Sequence, residues 1–553
     1  MERRSDGSLA PITWADAERR LAGALTAARR DRLGAIRLLT RPEPGSVGAL
    51  QRAFLRALGA GDEARVVFDP FDPPPLRAAS EALFGSAELP VYDVAAARTV
   101  VAFGADFQGT WLSPAGLSSG LAAGRSRQGE ARTRLAWVGP RRGQSGATAE
   151  RWLRSRAGEE PAVALALLHW LVDPGHAVTD LAPEAAELWP RLRHLQLEDL
   201  ALRAGVERAE LEALAAELAG RRPSALLGPG IDGQGPNATQ LSALLGLLDL
   251  VLGNLGKTVF HGLDTLEDPA NTYADVTGAI EALARDQVEV LLVHRTDPAG
   301  TLPAALGVAE ALRRVPLLVC FAGQPDATTA LAHLVLPDHH ALESQVDVLP
   351  RAGVVNLGAP AVPPSGDTRS TVQVLLEVAN LLPFPAAHFP WSDPAAYWEG
   401  RLEKYAMALT GTPPVPVLLA EAVRRGGLWR PAQARSVMLR PGAASRFLEP
   451  PPVRPVVAGG LDLVPFPGGE PAWACVELSP ATAGRLGVRS GVMVSVVTPS
   501  GRARLRVSVN AGLRDDAAGV PIGPADSLAL LPARPEDQSG AQCFPGETAI
   551  VRS

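Results

Sequence analysis

The chain has 553 residues, 46% of them apolar, enough for three or four domains at ~150 residues each. Its net charge of −6 supplies no basic field for a phosphate backbone, which argues against nucleic-acid binding. The three cysteines, Cys320, Cys475 and Cys543, form no C-x-x-C pair and fall short of the four thiolates of an iron–sulfur cubane, so neither a cluster held by this chain alone nor a disulfide framework is expected.

In chain order, Arg3-Arg4 is followed by no apolar stretch and is not a twin-arginine export signal as it stands. Asp16 to Arg30 predicts a helix with Leu21, Leu25 and Ala28 on one face and Asp16 at its start. Ala35 to Leu39 predicts a strand, Val47 to Leu58 a helix with Leu50, Phe54 and Leu58 at helical spacing, and Arg65 to Phe68 another strand. Asp69 to Pro75, with three successive prolines, is expected to be a loop. Thr99 to Phe103 and Leu135 to Val138 are apolar runs ending in glycine, as buried parallel strands do. Leu241 to Leu255 is the longest apolar run; it carries Asp249 and Asn254 and is too short to span a bilayer, so a soluble chain is expected. Cys320 sits in the apolar run Val315 to Phe321 and reads as a buried strand residue.

Helix and strand patterns alternate through Leu382, which implies doubly wound α/β layers. Residues 383–460 are rich in Pro, Trp and Phe and read as a linker that wraps across domains. From Trp473 onward Val492 to Val497 and Ala503 to Val509 alternate around Ser500-Gly501, the pattern of a small β-barrel. The expected division is therefore 1–222 and 223–382 for two α/β halves, 383–460 for the linker and 461–553 for the barrel. One echo joins the halves. Asp106-Phe-Gln-Gly-Thr110 and Asp297-Pro-Ala-Gly-Thr301 share D-x-x-G-T just after an apolar run, which points to duplication and to two equivalent loops at strand ends.

Candidate sites are few. Gly228-Pro-Gly230-Ile-Asp-Gly233 fits G-x-G-x-x-G after a strand, but Pro229 is foreign to a dinucleotide fingerprint and a tight glycine-dependent connection is the better reading. His261, His294, His333, His339 and His340 lie in one stretch, yet His339-His340 beside Asp338 and Glu343 lack the spacing of a metal site, and none is expected. Glu343 follows a strand and either orients a ligand or caps a helix. Ser113, Ser118 and Ser119 have no nucleophile elbow and no paired histidine, so no catalytic residue is expected.

Three segments resemble the molybdopterin oxidoreductases of the dimethyl-sulfoxide-reductase type. Asp6 to Ala17 is similar to the segment that follows their iron–sulfur domain, Ala332 to Glu343 to their A-D-x-V-L-P…E loop, and Val476 to Val494 to the opening of their C-terminal dinucleotide-binding barrel. The resemblance implies two doubly wound, Rossmann-like α/β halves plus a C-terminal β-barrel, without the N-terminal iron–sulfur domain. Within the family, Gly104 to Pro114 most resembles the molybdopterin-like half of the large iron–sulfur subunit of alternative complex III, a bacterial quinol:electron-acceptor oxidoreductase.

The cofactor positions carried over by this resemblance are Gly104, Asp106, Gly139, Arg141, Glu159, Gly228, Gly230, Asp297 and Glu343, and the departures from the family pattern make them vestigial. Gly139 stands where an acid would take ribose hydroxyls, and Glu159 or Glu160 is too long for the acid that receives guanine. Asp297 replaces an amide donor by a charge facing phosphates, and His333 replaces the Asp of the A-D pair. No cysteine of the first half can ligate molybdenum; Asp69 or Asp72 is the alternative oxygen ligand, though the prolines favour a solvent loop.

The expectation is a subunit without cofactor or metal, structural or for assembly, in a membrane-associated quinol-oxidising complex. Its implied partners are an iron–sulfur subunit, multihaem cytochrome c subunits and a quinone-binding integral membrane subunit. Its implied place is the periplasmic face of the cytoplasmic membrane, or the cytoplasm if no partner exports it. The alternatives are a catalytic subunit that binds molybdopterin guanine dinucleotide with its iron–sulfur domain on another chain, and another cofactor-less relative such as the matching region of the complex I large peripheral subunit.

Overall fold

A computed structural model describes residues 1–553 except 32–34, 70–71, 234, 265–267, 384–388, 412–415, 431, 453–458, 469–473, 523–524, 532–535, 540, 543–547 and 553. Trp473 and Cys543 lie outside the described residues. The chain forms two compact units, and neither is contiguous: Met1–Asp69 with Leu263–Leu302 and Leu306–Gln433, and Pro70–Gly262 with Pro303–Ala305 and Ala434–Ser553.

The first unit is built on a seven-stranded sheet. Its order is Leu9–Ala10, Glu2–Arg3, Leu334–Pro337, Leu317–Ala322, Val290–His294, Ile36–Thr40, Arg65–Val67. The five strands from Leu334–Pro337 to Arg65–Val67 are parallel, and Glu2–Arg3 adds an antiparallel edge. Alternate residues of these buried strands feed two cores. Ile36, Leu38, Leu292 and Val319 pack under the helices Trp14–Asp31, Ser46–Ala57 and Thr371–Asn380. Leu39, Leu291, Val293 and Cys320 pack under Tyr273–Ala284 and Val308–Arg314. Cys320 is buried as expected, and burial raises its thiol pKa. The strand order reverses direction between Val290–His294 and Ile36–Thr40, so the topological switch point lies at the ends marked by His294 and Thr40.

The second unit holds a four-stranded parallel sheet, Arg151–Leu153, Arg134–Val138, Thr99–Phe103, Ser224–Leu227. The helices Glu160–Val172 and Ala238–Val251 are apolar on nearly every face and almost wholly buried, as interior helices must be. The second of these accounts for the apolar run at Leu241; among the described residues no helix is long and apolar enough to cross a membrane. The expected barrel is present. Leu461–Pro467, Ala517–Ile522, Cys475–Leu478, Gly501–Val509, Met493–Thr498 and Thr548–Arg552 close on one another around a core of Leu463, Val476, Val496, Leu505 and Val520.

The compact units divide the chain otherwise than the linear expectation, and one expected loop is in part a helix. The boundaries at 222 and 382 do not coincide with the units, because the chain leaves the first sheet after Arg65–Val67 and returns to it only at Val290–His294. Apolar strand runs carry no label saying which sheet they join, so pattern alone divides the chain linearly. For the same reason the segment 383–460 is not one linker: its part through Gln433 belongs to the first unit and the rest to the second. The proline run is also not all loop. Pro74 and Pro75 are the first residues of the helix Pro74–Phe84, where a missing N–H costs nothing.

One close pair of carboxylates gives the first unit a pH dependence. Glu18 and Glu377 share the Arg369 guanidinium, with Arg369 Nη1 donating to Glu18 Oε1 at 2.6 Å. Burial and the neighbouring Glu377 carboxylate push Glu18 up to about 7. A raised acid binds its proton more tightly in the folded state. Its contribution is complete below the unfolded carboxyl pKa and is lost as pH rises through about 7. Glu18→Gln is therefore expected to flatten the fall in stability between pH 5 and 8 by ~1 kcal/mol after allowance for solvent screening. Denaturant melts at both pH values check this, and an unchanged slope refutes it.

Candidate functional site

The D-x-x-G-T echo marks equivalent positions in the two sheets. Asp106 lies three residues beyond the strand ending at Phe103, and Asp297 three beyond the strand ending at His294. Each carboxylate reaches the loop after the next parallel strand. Asp106 accepts from the Gln144 and Ser145 N–H groups at 3.1 and 2.7 Å. Asp297 accepts from Thr328 N–H at 2.9 Å, from the Thr328 hydroxyl at 2.5 Å and from its own loop's Gly300 N–H at 3.1 Å. Gln144 and Thr328 stand six residues past Val138 and Ala322, the ends of those strands. The Asp297 charge is turned inward, onto these donors.

Gly104 follows its strand with φ 63° and donates its N–H to Val138 O at 2.9 Å. Gly230 packs directly on it. A Cβ at Gly230 would lie 1.7 Å from Gly104 O, and a Cβ at Gly228 2.9 Å from Phe103 O. The Gly230 N–H donates to Phe103 O at 3.0 Å, and Trp111 Nε1 donates to Pro229 O at 3.0 Å. These glycines serve the approach of two backbones, which is the structural reading expected from Pro229.

The stretch Val138-Gly139-Pro140-Arg141 is held by protein on all sides. Gly139 donates to Leu153 O at 3.2 Å and accepts from Trp152 Nε1 at 2.9 Å. Arg141 forms a fork on the barrel residue Glu477, at 2.8 and 3.2 Å, and its guanidinium carbon stands 3.9 Å above the Phe466 ring. Arg142 N–H donates to Gly512 O at 2.7 Å, and Arg514 N–H to Pro140 O at 3.0 Å. Glu159, 7% exposed, accepts from Arg203 Nε at 2.6 Å. Glu159 is thus held in an internal ion pair. Glu160 opens the helix Glu160–Val172 and is buried beside Ser155.

In the first unit, Glu343 caps a short turn. Its carboxylate accepts from His340 N–H at 2.9 Å and Ser365 N–H at 2.8 Å, and these bonds hold its pKa below the usual range. Of its two open readings, the cap is the one the geometry supports. His333 Nδ1 accepts from Leu318 N–H at 3.0 Å, a bond within the sheet. Asp338 lies at the switch-point side of the sheet, 2.7 Å from Arg295 Nε and 3.7 Å from the buried His294 Nε2. His294 and Arg295 outweigh burial there and hold Asp338 at about 2. Among the described residues no group of three or more His, Cys, Asp or Glu is arranged to hold a metal ion.

Two acids of this region escape sequence reasoning. Asp347 covers the N-terminus of the helix Ser46–Ala57: it accepts from Ser46 N–H at 2.9 and 3.0 Å, from Ser46 Oγ at 2.6 Å, and from the Tyr405 hydroxyl. Asp268 accepts from Glu43 N–H at 2.6 Å and from Arg52 and Arg65. Both sit just after the strand ending at Thr40, where a doubly wound fold offers N–H groups to phosphate. The signal available in sequence was an acid inside the strand pattern Val346-Asp347-Val348, which is costly unless paired.

Comparison with known proteins agrees with this architecture. Residues 1–381 match the family described as "Molybdopterin oxidoreductase", and residues 468–544 the family described as "Molydopterin dinucleotide binding domain". The chain is 25% identical to the "Menaquinone reductase, molybdopterin-binding-like subunit" of Nitratidesulfovibrio vulgaris, over 95% of this chain and 78% of that one. It is 26% identical to the "NADPH-Fe(3+) oxidoreductase subunit alpha" of Geobacter sulfurreducens, over 42% of this chain and 32% of that one. The fold matches that of acetylene hydratase from Pelobacter acetylenicus with a TM-score of 0.75 at 15% identity, over 99% of this chain and 90% of the other. With both its α/β portion and its barrel matched, the chain belongs to the molybdopterin oxidoreductase family.

Proposed function

We propose that this chain is a cofactor-less, structural subunit of a membrane-associated quinone-linked oxidoreductase. The family implies a molybdopterin dinucleotide, and the positions that would hold it do not fit one. Asp106, Asp297 and Asp347 occupy the N–H groups open to phosphates, Glu159 is neutralised by Arg203, and Arg141 is spent on Glu477. That self-occupation is the observation that carries the reading. The naming of a relative as a menaquinone reductase, molybdopterin-binding-like subunit supports the quinone link. The resemblance of Gly104 to Pro114 to alternative complex III supports an iron–sulfur subunit, multihaem cytochromes c and a quinone-binding membrane subunit as partners. In such an assembly the chain supplies surfaces that hold redox partners in register, and electrons pass through the partners' groups.

The second reading is a catalytic subunit loaded with molybdopterin guanine dinucleotide, and the match of 468–544 to a dinucleotide-binding domain favours it. Metal and pterin analysis separates the two. The chain, purified with its partners through a tag, is expected to bring haem and iron–sulfur absorbance with molybdenum and pterin far below one per chain. Molybdenum and pterin near one per chain establish the second reading.

A further inference from the structure

The barrel strand Gly501–Val509 alternates strictly between core and solvent. Ala503, Leu505 and Val507 are buried in the barrel, whereas Arg502, Arg504 and Arg506 are exposed. Alternate strand residues stand ~6.8 Å apart on one side, so the three arginines rise in a row ~14 Å long. Their cross-strand neighbours are Val497, Ser495 and Met493 on one flank, and Cys475 beside Arg506 on the other. None is acidic. The nearest acid on the adjoining strand, Glu477, is already taken by Arg141 and Asn510. The Arg506 side chain donates to Gly491 O at 3.0 Å, and among the described residues the Arg502 and Arg504 side chains have no hydrogen bond or ion pair.

The buried and half-buried arginines Arg65, Arg141, Arg203 and Arg295 are each neutralised by a carboxylate, which this exposed row is not. Like charges at this spacing lie within a Debye length and repel. They favour an external anionic partner that removes the repulsion. The row ends beside Val492, Met493 and Val509, apolar side chains 36–42% exposed. Arginines next to exposed apolar tips are the pairing that interfacial membrane contacts use, the charge on the headgroups and the tips at the acyl boundary. The outer wall of a closed barrel is convex and meets a flat surface along a line, which suits a single row of side chains.

We propose that Arg502, Arg504 and Arg506 form a contact for an anionic phospholipid surface. The proposal does not depend on cofactor content. It is tested by sedimenting the full chain with vesicles of phosphatidylcholine alone or mixed with phosphatidylglycerol. Binding is expected only to the anionic vesicles, and high salt should release it. The R502S/R504S/R506S variant should partition on the order of 100-fold more weakly, and R504S alone about 5-fold. All three positions face solvent, so the thermal midpoint should not move; should the triple variant fail to fold, R504S decides. Equal binding by the variants, or no binding to anionic vesicles, overturns the proposal. Arginine-dependent binding of polyglutamate without vesicle binding also overturns it, and assigns the row to an acidic protein segment.

Discussion

Gly230→Ala is expected to remove at least ~4 kcal/mol from the second unit, the range where a single substitution unfolds a domain. The added Cβ would sit 1.7 Å from Gly104 O and 2.2 Å from Gly104 C, both backbone atoms at the end of a central strand. No rotamer relieves that clash. One of the two backbones must retreat, which breaks the 3.0 Å bond from Gly230 N–H to Phe103 O and disturbs the Asp106 loop beyond it. Gly233→Ala is the control. Its nearest neighbour is the Pro229 Cβ at 3.2 Å, and a shift of a few tenths of an ångström at a cost of ~1 kcal/mol suffices. Denaturant unfolding of both variants measures the contrast. A Gly230→Ala protein as stable as the Gly233→Ala protein refutes the close-approach account of this loop.

Asp268→Ala is expected to cost ~3–5 kcal/mol in the first unit. Asp268 takes a fork from Arg65 at 2.6 and 2.9 Å, a further bond from Arg52 at 2.7 Å, and Glu43 N–H at 2.6 Å. The Asp268 and Arg65 side chains are 3% and 5% exposed. Removing the acid leaves the Arg65 guanidinium buried with only Gln51 Oε1, at 2.9 Å, to accept from it. The cost is the stranded charge more than the lost bond. Arg65→Met combined with Asp268→Leu removes both charges and should recover most of the loss. A double variant no better than Asp268→Ala would show that the pair acts through shape and not through charge.

The sequence made the two D-x-x-G-T loops legible because both follow apolar runs, and local order is what a linear pattern records. Asp106 and Asp297 do occupy matching positions at their strand ends. The paired strands around Ser500, the buried Cys320 and the family were legible for the same reason. Partners distant in sequence were not. Nothing near Glu159 points to Arg203, nothing near Ser46 points to Asp347, and nothing in Arg65–Val67 says that its sheet resumes at Val290. Such pairs are fixed by topology, and a chain that crosses between two sheets hides its topology from periodicity. Pro74 and Pro75 were misread because a proline run stops a helix from continuing but does not stop one from starting.

The interruption of the first sheet also sets an order of events during synthesis. Ile36–Thr40 and Arg65–Val67 leave the ribosome about 220 residues before Val290–His294, the parallel neighbour of Ile36–Thr40 on its other side. At ~5–20 residues per second that interval is roughly 10–45 s. Throughout it, Leu39 and Val66 belong to a half-sheet whose face toward the later helices Tyr273–Ala284 and Val308–Arg314 has no cover. All four parallel strands of the second unit's sheet, Thr99–Phe103 through Ser224–Leu227, emerge within the same interval. The second unit's sheet can form while the first unit's strands wait, and an unpaired strand edge held open that long is what folding helpers and aggregation compete for.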